Sequence, residues 1–226
     1  MSTRRSVFLA ALGPAAAQLR AEVLEYVAGP PEGHDRGEGR GVFNVAGSPW
    51  GPLMLLLRPF VGPGLLVTRQ ERDVPFDVVN RPVGAGDAAT PSLAATRTFH
   101  FRSRSETFVD LLLPGAAPGT VVDVLGRHRR IEVLLECTAT SEGNLRLRSR
   151  ACRIRIGGIR VRLPRLLGVS VEVEDGYDPD LERRTIAAEV RNPIFGTVMA
   201  YRGWFRYSYR RDDRAARSPR QGSPLQ

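Results

Sequence analysis

Residues 184–209 of this chain read RTIAAEVRNPIFGTVMAYRGWFRYSY. Polar and apolar residues alternate in both halves, and Pro193 and Gly196 lie between them, which predicts two β-strands joined by a corner. On the second strand Tyr201 and Phe205 share one phase of the alternation. Residues two positions apart point to the same face of a strand, so we expect these rings to face inward. The stretch predicts a core strand, with a ligand pocket lined by Tyr201 as the alternative.

A similar alternation recurs along the chain and predicts nine further strands. They are expected at Gly41–Ala46, Val74–Asn80, Thr96–Phe101, Glu106–Leu113, Thr120–Leu125, Arg130–Thr140, Leu145–Ile156, Ile159–Leu163 and Val169–Glu174, before Arg184–Val190 and Thr197–Tyr209. Turns rich in glycine, proline or polar residues, among them Gly84–Ser92 and Asp175-Gly176, separate them at short intervals, which favours antiparallel hairpins. We therefore predict an α+β fold, mainly an antiparallel curved sheet or half-barrel, or a barrel, with N-terminal helices packed against it.

Two helices are predicted before the region in which strands dominate. The first extends from about Pro14 to Val27, because Leu19, Val23 and Tyr26 recur at helical spacing. The second extends over Pro49–Phe60, and its leucines are expected to pack onto the sheet. A strand is the alternative there, since a short leucine run has no decisive period.

The chain of 226 residues suits a single domain. We expect that domain at residues 8–209 and a disordered basic tail at residues 210–226. Thr3–Leu12 resembles the start of a twin-arginine export signal, with a basic flank before a short apolar run. The pattern continues without a boundary into the first helix, so we favour a helix of the domain over a cleaved signal.

The phase of the alternation changes within the strand predicted at Leu145–Ile156. Odd positions are the less polar ones up to Ala151, and even positions take over from Cys152. A period of two changes phase only where an extra residue enters the strand, so we predict a bulge or corner near Arg150.

All basic residues of the chain except histidine are arginine, and the formal net charge is +9. Eight arginines lie between Arg146 and Arg165. We expect most of them on an outer sheet face, paired across strands with glutamates. The glutamates are Glu132, Glu136, Glu172 and Glu174. An anion cradle is the alternative. Nucleic-acid binding is disfavoured, because it needs an unpaired basic stripe.

Several function classes find no support in the sequence. No apolar run reaches the length of a membrane-spanning helix. Cys137 and Cys152 are too few for a metal site, and we expect buried thiols in a reducing, cytoplasmic compartment, with a cross-strand disulfide left open. The sequence contains neither a nucleophile elbow nor a phosphate-binding glycine fingerprint. We therefore expect neither a metal nor a cofactor.

The order of several short motifs is similar to that of the bacterial family known as domain of unknown function 4166. The motifs are Leu12-Gly13-Pro14, Gly41-Val42-Phe43, Arg97-Thr98-Phe99, Val122–Gly126, Gly157–Pro164, Glu172, Pro193, Gly196, Tyr201 and Gly203. Ala95-Thr96 stands where the family tends to have tryptophan, and Asp123 where glutamate is expected. The resemblance implies no assigned activity. It implies a partner oxidoreductase, since such domains also follow a nucleotide-binding oxidoreductase domain on one chain.

From these patterns we predict a non-catalytic domain that binds a hydrophobic or amphipathic, or an anionic, small molecule in the concavity of the sheet. The candidate ligand-binding residues are Arg97, His100, Asp123, Glu172, Tyr201 and Arg202. One alternative is an isomerase-like or hydrolase-like enzyme on a hydrophobic substrate that uses His100, Asp123 or Glu172. The other is a structural or protein-interaction domain without a pocket. Whether the protein is an enzyme stays open.

Overall fold

The computed structural model describes residues 6–83 and 90–211, except for the side chain of residue 156. All eleven predicted strands are present and pair antiparallel. They are β1 (Arg36–Gly47), β2 (Gln70–Val83), β3 (Ser92–His100), β4 (Ser105–Pro114), β5 (Thr120–Leu125), β6 (Ile131–Ala139), β7 (Leu145–Ile156), β8 (Ile159–Arg162), β9 (Ser170–Asp178), β10 (Arg183–Asn192) and β11 (Gly196–Arg210). The predicted turn Gly84–Ser92 lies mostly outside the described residues, as does the tail from Asp212.

The sheet closes into a barrel of ten strands, so the half-barrel expectation is wrong. The first strand, β1, pairs with the last, β11, and β6 pairs with β7. β8 lies outside the ring and pairs with the second half of β7, at residues 153–156. β9 pairs with the first half of β7, at residues 145–148. Short hairpins join most neighbouring strands of the ring. Pairing of the first strand with the last then closes the series, so the ring has no free edge.

Glycines allow β1 and β11 to approach each other closely. A Cβ atom on Gly203 would lie 2.1 Å from the backbone oxygen of Val42, and one on Gly41 would lie 1.9 Å from that of Trp204. Neither clash can be relieved by a side-chain rotation, because the atoms that would be struck belong to the backbone. These two positions therefore have a geometric role in the closure of the barrel.

The bulge predicted from the change of phase is confirmed. Leu134 lies opposite Ala151 and Leu135 lies opposite Ser149, so Arg150 is the extra residue of β7. β9 is longer than expected. Asp175 and Gly176, predicted as a turn, continue the strand.

Three short helical segments cover one end of the barrel, called here the helical end. They are α1 (Val7–Leu12), a 3-10 helix (Gly13–Gln18) and α2 (Ala21–Ala28). The single helix expected over Pro14–Val27 is broken at Leu19 and Arg20, where the backbone is extended. There the N–H of Arg20 donates to the Gly143 oxygen, and Nη1 donates to the Tyr177 oxygen. Bonds to the turn between β6 and β7 and to β9 therefore hold the chain at the position where the helix is broken.

The opposite end, called here the loop end, is formed by residues 48–69, 101–104, 126–130, 157–169 and 193–195. The helix predicted at Pro49–Phe60 is a 3-10 helix (Gly51–Leu57) followed by α3 (Arg58–Val61). Its leucines do not pack onto the sheet: Leu53 is 54% exposed and Leu56 70%. The expectation of packing is wrong because a short leucine run carries no information about which face is covered.

The interior of the barrel contains two apolar clusters. One joins Phe8, Leu12 and Val23 of the helical segments to residues of β4–β7. The other is aromatic, and its rings of Phe43 and Phe76 stack with centroids 3.7 Å apart. Side chains rather than open space therefore fill much of the concavity.

Cys137 and Cys152 are both buried and free. Cys137 lies opposite Leu147 and Cys152 opposite Val133, so about 13 Å of strand separate the two cysteines, too far for the disulfide that the sequence left open. The helices of the described ranges are all too short or too polar to span a bilayer.

Candidate functional site

A cluster of charged side chains lies on the inner face of the barrel wall, between the aromatic cluster and the helical segments. Its best-defined contact joins Arg97 of β3 to Asp110 of β4, with Nη1 2.7 Å from Oδ2. Burial works against the charged guanidinium, but the Asp110 carboxylate outweighs it and raises the pKa of Arg97 well above its usual value. The pair is therefore a close ion pair in a largely buried environment.

Asp123 of β5 adds a second carboxyl group beside this pair. It lies diagonally across the ladder from Asp110, because Asp123 faces Leu112 and Asp110 faces Leu125. Burial, and then the negative charge of Asp110, raise the pKa of Asp123 well above its usual value. Burial and the neighbouring carboxylate of Asp110 thus both favour the protonated form of Asp123, while Asp110 is bound to Arg97.

Asp175 of β9 and Arg184 of β10 form the other half of the cluster. Burial raises the pKa of Asp175 to about 6, although Arg184 and then Arg97 act to lower it. Arg184 donates from Nη1 to the Glu22 oxygen of α2 over 2.8 Å, and its guanidinium lies 4.1 Å from the centroid of the Tyr26 ring. α2 is therefore tied directly to the cluster.

A cleft at the helical end lies next to the cluster. Its walls include Phe8, Val27 and Leu93, and polar groups of Asn80 and Tyr26 line it as well. Its volume of about 40 Å³ has room for about three water-sized molecules. Nδ2 of Asn80 donates to the Tyr26 hydroxyl over 3.2 Å. Since the Tyr26 ring also covers Arg184, this ring separates the cleft from the charged cluster.

Several polar atoms of the cluster are buried without a partner. Such atoms are rare in proteins, because each costs about 1–3 kcal/mol when left unpaired. The unpaired atoms are Oδ1 of Asn80, Asp110, Asp123 and Asp175, and Nε and Nη2 of Arg184. Glu106, another inward carboxylate, differs: it accepts from Thr68 N and Thr68 Oγ1 at 2.6 Å each. A carboxylate on the inner face can thus be fully paired, whereas those of the cluster are not; four further unpaired atoms, on Asp35, Asn144, Arg146 and Arg183, lie outside the cluster.

Three of the six residues singled out from the sequence come together in this cluster. Arg97, Asp123 and Tyr201 all face the interior, and burial raises the pKa of Tyr201 to about 12 with both other residues near enough to affect it. Their role in ligand binding stays a prediction.

The other three residues lie on the outer face of the barrel. His100 is held between Asp77, 2.7 Å from Nε2, and Ser105, 2.9 Å from Nδ1. Glu172 pairs with arginines of β7, and Arg202 is exposed. These positions place no side chain in the cluster.

Five polar residues of the site were not singled out from the sequence. They are Tyr26, Asn80, Asp110, Asp175 and Arg184. A signal was available for Asp110, since it shares the phase of Phe108 and Leu112 and a charge in an apolar phase predicts a buried ion. Asp175 had no such signal, because the glycine after it resembled a turn.

The cluster can bind polar groups and can hold or release a proton. Arg184 offers two N–H groups without a partner, and the unpaired carboxyl oxygens of Asp110, Asp123 and Asp175 can accept hydrogen bonds. Within the described residues, no group of three or more histidine, cysteine, aspartate or glutamate side chains is arranged to hold a metal ion.

Comparison with known proteins gives two findings. The family described as "Domain of unknown function (DUF4166)" matches residues 28–205. The uncharacterized protein YndH of Bacillus subtilis (strain 168) is 28% identical over 134 residues, which make up 59% of this chain. The match spans 65% of the length of that relative. The family match includes both halves of the charged cluster but not Tyr26.

Proposed function

This chain belongs to the family described as domain of unknown function (DUF4166), and we propose that it is a non-catalytic binding domain for an amphipathic small molecule. The polar end of the ligand would bind the charged cluster inside the barrel. Its apolar part would lie in the cleft between α2 and strands β2 and β3. The observation that supports this proposal is the set of unpaired buried atoms beside that cleft.

The polar end of the ligand would contain both acceptor and donor groups. An acceptor suits Nε and Nη2 of Arg184, and a donor suits Oδ1 of Asp110 or Asn80. A carboxylic acid, amide or hydroxyl group meets part of this requirement, whereas a pure hydrocarbon meets none of it. An anionic group would also find Arg184 and Arg97 as buried cations.

The apolar part of the ligand would contact Phe8, Val27 and Leu93, which belong to α1, α2 and β3. The cleft as described is smaller than ordinary ligand pockets of about 300–1,000 Å³. Binding therefore requires α2 to move outward and Tyr26 to rotate. α2 is only eight residues long and ends at Gly29, whose φ of 87° suits a hinge.

Native mass spectrometry of the full chain purified from its own host tests the proposal. We expect a co-purifying small molecule that is released on denaturation and identified by extraction. Leu93→Trp fills the cleft and should abolish the adduct. Leu181→Trp makes the same change at a residue that is 53% exposed and outside the cleft lining, and it should leave the adduct unchanged.

Two outcomes would contradict the proposal. One is the absence of any adduct from wild-type protein whose fold is intact by circular dichroism. The other is equal loss of the adduct in the Leu93→Trp and Leu181→Trp variants, because that would place the molecule elsewhere.

A second candidate function is supported by Asp123 and Asp110. Burial and the charge of Asp110 raise the pKa of Asp123, and neighbouring carboxyl groups in such different environments are used for general acid–base chemistry. An enzyme of the isomerase or hydrolase class would convert the recovered molecule, and Asp123→Asn would stop conversion while leaving the adduct bound. A binding domain returns the molecule unchanged after incubation.

The free, buried cysteines support a reducing compartment such as the cytoplasm, where thiols stay unoxidised. A partner oxidoreductase, implied by the family resemblance, stays a prediction. Co-purification from the native host tests it in the same experiment.

A further inference from the structure

Exposed apolar side chains are concentrated at the loop end of the barrel. Eleven of the thirteen large hydrophobic side chains that are exposed within the described residues lie there. They are Leu53, Leu55, Leu56, Leu57, Phe60, Ile159, Val161, Leu166, Leu167, Ile194 and Phe195. The other two, Val83 and Leu181, lie at the helical end. An exposed apolar concentration of this kind marks an interaction surface.

Hydrogen bonds and ring contacts join the segments of the loop end into one platform. Arg130 donates from Nη1 to the backbone oxygens of Pro59 and Phe60. The Trp50 ring donates from Nε1 to the Phe195 oxygen and lies 5.3 Å from the Phe195 ring. Asn192 donates to the Leu166 oxygen over 3.0 Å. The apolar side chains therefore belong to one connected surface.

The two ends of the barrel differ in charge. The five segments of the loop end contain ten arginines and no acidic residue. The described turns of the helical end are residues 29–35, 115–119, 140–144 and 179–182. They contain five acidic residues and no arginine. The platform is thus basic as well as apolar, and its opposite end is acidic.

The hairpin of β7 and β8 shows the same combination on a small scale. Arg153 lies opposite Arg162, and Arg155 lies opposite Arg160. Like charges directly opposite each other destabilise a strand pair, so a face with two such pairs suits an anionic partner. The other face of the hairpin presents Val161, which is 46% exposed.

The arginines of this hairpin are mostly without an acidic partner, unlike the arginines in the first half of β7. Arg146 and Arg148 pair with Glu172, and Arg150 pairs with Glu136. At the loop end Arg160 alone among the hairpin arginines pairs with an acid, Glu132. Within the described residues the other three hairpin arginines, Arg153, Arg155 and Arg162, make no ion pair. Arg165, which follows the hairpin, makes none either.

We propose that this platform docks the protein onto an anionic lipid surface. The leucine, isoleucine and phenylalanine side chains would enter the boundary between headgroups and acyl chains, and the unpaired arginines would contact lipid phosphates. The acidic helical end, with the ligand cleft, would then face away from the membrane. This proposal is independent of the ligand proposal, since it concerns the opposite end of the barrel.

The apolar component distinguishes a lipid surface from nucleic acid. A nucleic-acid surface needs basic side chains and stacking aromatics, and it gives exposed leucine and isoleucine no favourable environment. A second copy of the chain is also disfavoured, because a face-to-face dimer would bring ten arginines of each copy together. An anionic bilayer accommodates both features.

Co-sedimentation of the full chain with lipid vesicles tests the proposal. We expect binding to vesicles of equal parts phosphatidylcholine and phosphatidylglycerol, and far weaker binding to phosphatidylcholine alone. The double variant Arg162→Gln/Arg165→Gln should lower the partition coefficient about thirtyfold. Its control, Arg81→Gln/Arg206→Gln, removes the same charge from two exposed arginines of the barrel wall and should change binding far less.

A second pair of variants tests the apolar contribution. Leu56→Ser/Phe60→Ser should lower the partition coefficient about tenfold or more, because both side chains are mostly exposed and would be inserted. Val83→Ser/Leu181→Ser, at the helical end, should leave it unchanged. Equal losses in platform and control variants would overturn the proposal. Equal binding to vesicles with and without phosphatidylglycerol would also overturn it. Binding to a single-stranded oligonucleotide without binding to vesicles would do the same.

Discussion

Arg97 and Asp110 form an ion pair inside the barrel, with Nη1 of Arg97 2.7 Å from Oδ2 of Asp110 and only 4% of the Asp110 side chain exposed. The pair joins β3 to β4 at a diagonal of the ladder, because Asp110 faces Ala95 and Arg97 faces Phe108. It uses one oxygen of Asp110 and leaves Oδ1 without a partner. The pair is therefore both a part of the barrel wall and an unfilled hydrogen-bonding site.

Removal of one partner of this ion pair should destabilise the protein more than replacement of both partners by apolar residues. Asp110→Leu leaves the buried guanidinium of Arg97 without its counter-ion, and we expect a loss of about 3–5 kcal/mol in unfolding free energy. The double variant Arg97→Met/Asp110→Leu removes both charges and should lose less. Urea denaturation measures both, and Arg148→Gln, on the exposed outer pair, should cost less than about 1 kcal/mol. A double variant less stable than the single variant would contradict the expectation.

Asp175 should make the protein less stable as pH rises. Its pKa in the folded protein is about 6 and the ordinary pKa of an aspartate is 3.8, so the folded state binds the extra proton between these pH values. The stabilisation is complete below about pH 4 and is lost as pH rises through 6, with a total of about 3 kcal/mol.

Asp175→Asn isolates this effect, because asparagine cannot ionise. The unfolding free energy of wild type minus that of the variant should fall by about 3 kcal/mol from pH 4 to pH 7. Arg184 and then Arg97 act to lower the pKa of Asp175, but burial outweighs them, so the sign stands. A difference that is constant or rises with pH would show that Asp175 is not buried as described.

Gly203→Ala should weaken barrel closure. The added Cβ would lie 2.1 Å from the Val42 oxygen and 2.6 Å from the Phe43 Cα, so β1 and β11 would have to separate. We expect a loss of about 3 kcal/mol or more in unfolding free energy, measured by urea denaturation. Gly168→Ala is the control, because the nearest atom there lies at 3.4 Å. Equal effects at both positions would refute the close approach.

The inner residues, and not the outer ones, should determine ligand affinity. With the molecule recovered from the native host as probe, Arg184→Met and Asn80→Leu should each weaken binding about tenfold or more in isothermal calorimetry. His100→Gln and Arg202→Gln should leave affinity unchanged, because both side chains lie on the outer face. The reverse pattern would move the site to the outside of the barrel.

Strand positions were predictable because an alternation of period two is written directly into the sequence. The bulge at Arg150 followed from a single change of phase, and the Glu172 and Glu136 ion pairs followed from the arginines opposite them. Closure was harder to predict. Pairing of β1 with β11 joins residues at opposite ends of the chain, and no local pattern encodes it.

The site was only half predictable for a related reason. Arg97, Asp123 and Tyr201 stood out within family-like motifs, but Arg184 and Tyr26 meet only because α2 lies across the barrel. The leucines of residues 53–57 were expected to pack onto the sheet because apolar residues are usually buried. Their exposure departs from that tendency, and the proposed lipid surface would account for it.

A crystal structure of the protein purified from its own host tests the central claim most directly. We predict non-protein density in the cleft beside Leu93, with a polar atom within about 3 Å of Arg184 Nη2 or Asp110 Oδ1. Ordered water as the sole partner of these atoms, in a cleft that contains no other molecule, would contradict the claim.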